Sequence, residues 1–67
     1  MTFGEKIRNL RKEQGLTAKK LSEKSGLTVV SIINYENGHR KPTLVSVNKL
    51  ATALNCDFDE LCNLLKE

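Results

Sequence analysis

Residues 26–42 read GLTVVSIINYENGHRKP, and the fold class turns on whether the middle of this stretch is a strand or a helix. Val29, Val30, Ile32 and Ile33 are β-branched, and propensity alone favours a strand. The two ends point the other way. Thr28 stands where an N-cap hydroxyl accepts from a first-turn amide, and Asn37-Gly38 stands where helices stop. Propensity is the weaker of the two signals, so the spacing predicts a helix over 29–36.

The same punctuation continues on both sides. Upstream, Thr17 caps a predicted helix over 18–25 that Gly26 stops, because glycine takes the left-handed conformation cheaply. Further upstream, Thr2 precedes Phe3, Ile7 and Leu10 at helical intervals, with Glu5 placed to complete a capping box, and Gly15 ends that helix. Downstream, Pro42-Thr43 opens a helix over 44–54 with Leu44, Val47, Leu50, Ala51 and Leu54 on one face, ended by Asn55. Asp57 with Glu60 reads as a second capping box, opening a helix over 58–66. No segment sustains strand alternation. The expected fold class is all-α: five short helices in one compact domain over residues 1–67. Leu10, Leu21, Leu27, Ile32, Tyr35, Leu44, Leu50 and Leu54 are the expected core, one face of each helix turned inward.

Composition narrows the function. At 67 residues the chain suffices for one small core; no separate sensor domain and no small-molecule ligand are expected. No apolar run approaches the ~18 residues of a membrane span, and no signal peptide is visible at Met1, so a cytoplasmic location is expected. Cys56 and Cys62 do not have zinc-site spacing and are expected to be reduced thiols packed as small apolar groups. No metal or cofactor is expected. The net charge of +3 is uneven. Residues 1–41 carry nine Lys and Arg against four Glu, whereas residues 42–67 carry two Lys against four acids. A basic first half suits a polyanionic partner. With one His, no nucleophile–base set and no phosphate-cradling glycine loop, an enzyme is excluded.

The predicted helices 18–25 and 29–36 are joined by Gly26-Leu27-Thr28. Two short helices on so tight a glycine-containing turn form a helix-turn-helix, whose second helix enters the DNA major groove. At this point the chain resembles a family. LRKEQGLT (10–17), the Gly26 turn, YENGHRKP (35–42) and LATAL (50–54) are similar, in that order, to the Cro/C1-type helix-turn-helix domain, also called the xenobiotic-response-element family, of phage repressors and bacterial regulators. The resemblance covers roughly residues 3 to 65 and implies a lambda-repressor-like five-helix fold.

The resemblance also implies roles. Arg11 and Glu36 match a structural ion pair between the first and third helices. Thr17 and Ala18 match a helix start that rests on a DNA phosphate; Ala18 lacks the usual glutamine side chain, so only its backbone role carries over. Thr28, Asn37, Arg40 and Lys41 match further backbone contacts. Val29, Val30 and Asn34 occupy the main base-reading positions, with Ser31 and Ile33 beside them. The last helix and the loop before it, around Asn55, Phe58, Leu61 and Leu65, match a homodimer interface.

The chemistry of those base-reading side chains is unusual. Bidentate pairing needs Arg or Lys for guanine, and Asn or Gln for adenine. Here only Asn34 and Ser31 offer hydrogen bonds, while Val29, Val30 and Ile33 offer apolar contact to thymine methyls. The expectation is a sequence-specific regulator, a repressor, that binds double-stranded DNA as a homodimer on a palindromic operator with A·T-rich or T-containing half-sites. The alternative is a protein-interaction module, such as the antitoxin of a toxin–antitoxin pair, with the same apolar patch covered by a protein partner.

Overall fold

The structure, a computed structural model, describes residues 1–66. Among the described residues there are five helices: α1 (Phe3–Glu13), α2 (Ala18–Ser25), α3 (Val29–Glu36), α4 (Leu44–Leu54) and α5 (Phe58–Leu64). Each starts on an oxygen-bearing side chain. Thr17, Thr28 and Thr43 accept from the amide three residues on. Thr2 and Glu5 close a reciprocal capping box, Glu5 N to Thr2 Oγ1 at 3.1 Å and Thr2 N to Glu5 Oε1 at 2.9 Å. The β-branched stretch is helical, as its caps require.

The start of α5 differs from expectation. Asp57 accepts from Asp59 N instead of Glu60 N, and the Glu60 carboxylate reaches across to Lys6 Nζ at 3.2 Å. An interhelical cation outcompetes the local box, and it ties α5 to α1. The helix also ends at Leu64, two residues short of the expected bound.

Ile7, Leu21, Ile32, Val47, Leu50, Leu54 and Leu61 are fully buried, and Phe3, Tyr35, Ala51 and Ala53 complete the core. The helix α4 packs against α1, α2 and α5, so its inward stripe forms the centre. Leu10 and Leu27 pack at the edge of that core. Leu44, expected inside, is 67% exposed. It is the first residue of α4 and sits at the margin of the stripe formed by Val47, Leu50 and Leu54. Seen from the Cα atoms the body measures 27 × 22 × 20 Å.

One close approach sets the place of α3. A Cβ added at Gly4 would lie 2.6 Å from the Glu36 carbonyl oxygen and would meet the Tyr35 carbonyl as well. Only glycine lets the first turn of α1 lie on the last carbonyls of α3. That contact brings the positive end of one helix dipole to the negative end of another.

Candidate nucleic-acid interface

The turn between α2 and α3 is held from both sides. Gly26 takes φ 77°, and both backbone groups of Leu27 are engaged by serines of α2. The Ser22 hydroxyl donates to the Leu27 carbonyl, and Ser25 Oγ accepts from the Leu27 amide at 3.2 Å. Neither serine stands out by sequence pattern. Their three-residue spacing just before a glycine turn is the signal that could have marked them.

Behind the turn, α3 is anchored through its inner face. Ile32 and Tyr35 are buried, and the Tyr35 hydroxyl donates to Ser46 Oγ at 3.2 Å. Glu36 is bound by Arg11, Nε to Oε2 at 2.8 Å and Nη2 to Oε1 at 3.0 Å. The third Arg11 nitrogen donates to the Leu16 carbonyl at 3.0 Å, so α1 also holds the loop that leads into α2. The hydrogen bonds to Glu36 raise the Arg11 pKa above its ordinary value and keep it charged.

The outer face of α3 follows from helical geometry. At about 100° per residue, Val30 lies opposite the buried pair, with Ile33 and Asn34 flanking it and Val29 and Ser31 at the margins. Val30 is 67% exposed and Ile33 43%; Val29, Ser31 and Asn34 are half-buried. The five side chains expected to read bases therefore form one continuous strip, apolar at its centre.

Two groups border that strip. At the start of α2, Thr17 Oγ1 takes the Lys20 amide at 3.0 Å and the Thr17 carbonyl takes the Leu21 amide. The Ala18 and Lys19 amides precede the first intrahelical bond and remain as donors at a positive helix end. Past α3, the loop carries Asn37, His39, Arg40 and Lys41, all exposed. Gly38 at φ 76° bends it back, and the His39 amide donates to the Asn34 carbonyl at 2.9 Å. Arg40 folds over the helix, its Nη1 3.4 Å from Ser31 Oγ and its Cζ 6.0 Å from the Tyr35 ring centroid. Thr28 both caps α3 and bonds Ser31, Oγ1 to Oγ at 2.9 Å.

The residues expected at a dimer interface divide. Asn55 is exposed in the left-handed conformation at the end of α4, φ 55°, and Phe58 and Leu65 are half-buried. Leu61 is wholly buried. It is the fully buried residue of α5, with Phe58, Cys62 and Leu64 packed around it, so its side chain is not available to a partner. Burial also pushes the Cys56 thiol above its ordinary pKa, which favours its protonated form.

Comparison with known proteins places this arrangement. Residues 7–61 match the helix-turn-helix family profile. The chain is 34% identical over 62 residues to the cryptic phage CTXphi transcriptional repressor RstR of Vibrio cholerae, covering 92% of this chain and 55% of that protein. It spans about half the length of the curated repressors it matches. Among solved structures, the restriction-modification controller protein C.AhdI of Aeromonas hydrophila superposes with a TM-score of 0.84 at 41% identity, over 88% of this chain and 89% of that one. The P22 c2 repressor bound to a synthetic operator gives a TM-score of 0.85 at 30% identity, over 91% and 92%.

Proposed function

The chain belongs to the Cro/C1-type helix-turn-helix family, and on that premise we propose that it is a sequence-specific DNA-binding transcriptional regulator that represses from a two-fold-symmetric operator as a homodimer. The observation that carries this reading is the outer strip of α3. It is one continuous helix face, exposed at Val30 and Ile33, backed by Ile32, Tyr35 and the Arg11–Glu36 pair, and bordered by free amides on one side and a basic loop on the other.

In this reading α3 lies in the major groove, which is about 12 Å wide and admits one helix. Val29, Val30 and Ile33 meet thymine methyls. Asn34 pairs with an adenine through its amide, which no side chain engages among the described residues. The Ala18 amide, Thr17, Thr28, Asn37, Arg40 and Lys41 hold the phosphate backbone and set the register. With so few direct hydrogen bonds to bases, sequence-dependent groove width and flexibility supply part of the selectivity. Repression is steric, by occupation of a promoter in the cytoplasm. A second copy, joined around Asn55, Phe58 and Leu65, doubles the surface and reads the other half-site one turn away.

A second reading rests on the exposure of Val30 and Ile33, an apolar pair that also suits a protein partner such as a toxin. Selection from a random duplex library, followed by salt-dependent binding, separates the two. The proposed function expects an enriched two-fold-symmetric sequence bound at least ~10³-fold more tightly than random DNA. Steeply salt-dependent binding with no enrichment would reduce the function to backbone attachment. No binding at low salt would transfer the strip to a protein partner.

A further inference from the structure

We propose that Arg40 and Ser31 act together as one clasp on a single DNA phosphate, which takes Ser31 out of base reading; the proposal rests on the DNA-binding reading above. Three observations carry it. Arg40 belongs to the loop after α3, yet its guanidinium lies across the helix, 3.4 Å from Ser31 Oγ and over the Tyr35 ring at 6.0 Å. The ring and the hydroxyl thus hold a cation at one margin of the strip. Second, among the described residues no carboxylate forms an ion pair with Arg40, as for most Lys and Arg of the chain. Its charge is left for an outside anion.

The third observation concerns hydrogen-bond polarity. Ser31 Oγ accepts from Thr28 Oγ1 at 2.9 Å and from Arg40 Nη1. A hydroxyl has two acceptor sites and one proton; with Arg40 donating to its oxygen and Thr28 Oγ1 able to occupy a second acceptor site, Ser31 can turn its proton to a third partner. Guanidinium has donors alone. The pair therefore presents donors side by side and calls for an acceptor with more than one oxygen and negative charge. A phosphate has both, and hydrogen bonds to it are charge-assisted. A base edge offers neutral acceptors. Position agrees: Ser31 is about 100° around α3 from Val30, at the margin where a helix seated in the groove meets the rim and its backbone.

The test is a double-mutant cycle on the full chain: Ser31→Ala, Arg40→Gln and both together. Affinity is measured against salt for the duplex selected above and for its single-base variants. The clasp expects each single variant to weaken every duplex by a similar factor, about tenfold for a charge-assisted bond. The double variant should be little weaker than Arg40→Gln alone. The slope of log affinity against log salt should fall by about 0.9 on losing Arg40. Factors that multiply independently, or a Ser31→Ala effect confined to one base pair, would overturn the clasp and leave the DNA-binding reading standing. Failure of the unaltered chain to bind any duplex would remove both.

Discussion

Arg11 and Glu36 are joined by two parallel hydrogen bonds across α1 and α3, with side chains only 14% and 7% exposed. A pair so well covered is sensitive to the loss of one partner, because the other is left as an uncompensated charge. Arg11→Met should cost about 3 kcal/mol in urea-induced unfolding. Arg11→Met with Glu36→Leu should be more stable than Arg11→Met alone, since no unpaired charge remains. A double variant less stable than the single would show that the pair does more than neutralise itself.

Gly4 should be intolerant of the smallest change. Alanine gains about 1 kcal/mol of helix propensity over glycine, yet its Cβ would meet two backbone carbonyls that cannot swing aside. Overpacking of this kind costs about 1–3 kcal/mol or more, so Gly4→Ala should lower the thermal midpoint. At Gly15 nothing lies within 4 Å and φ is +70°, so Gly15→Ala should cost only about 1–2 kcal/mol of left-handed backbone strain. A thermal midpoint for Gly4→Ala at or above that of the unaltered chain would contradict the close approach of α1 to α3.

Base preference should follow the strip. Val30→Ser should weaken selection for thymine at one position of each half-site while leaving affinity for random DNA unchanged. Asn34→Ala should cost about 1–3 kcal/mol of discrimination against the wrong base at its adenine. Repeating the library selection with each variant reads both effects. Unchanged sequence preference in both variants would move specificity off α3.

The capping box at Thr2 carries a pH dependence whose sign is set. Hydrogen bonds from the Thr2 backbone and side chain lower the Glu5 pKa below its ordinary 4.5. A depressed carboxylate stabilises the fold above its unfolded value and loses that contribution as pH falls through the folded value. The stability advantage of the unaltered chain over Glu5→Gln should therefore be full at neutral pH and shrink below about pH 4.5. Chemical denaturation at pH 7, 5 and 3 gives the comparison, and an advantage that grew on acidification would reverse the assignment.

Much of the architecture is legible because helix ends are local. Each of Thr2, Thr17, Thr28, Thr43 and Asp57 is read with the few residues that follow it, and α1 to α4 begin where those caps place them. Helical period then assigns the faces of α3, including the exposure of Val30. What escapes depends on partners distant in sequence. Glu60 has a local use and a remote one, and only the folded chain brings Lys6 within reach. Leu44 fits the apolar period of α4 but lies at its margin, which spacing alone does not reveal. Gly4 owes its place to carbonyls more than thirty residues away. The reach of Arg40 to Ser31 depends on how the Gly38 bend aims a long side chain, and residue type says nothing of that direction.

The dimensions of the body bear on dose response. Its longest Cα extent, 27 Å, is less than the ~34 Å that separates two half-sites one turn apart. Two copies on the proposed operator would therefore meet edge to edge. A contact below ~1,000 Å² would leave such a pair unstable in free solution. If pairing is completed on the DNA, the filled fraction of operators at low occupancy climbs with the square of protein concentration. In that regime a twofold drop in the amount of protein would cut the filled fraction about fourfold.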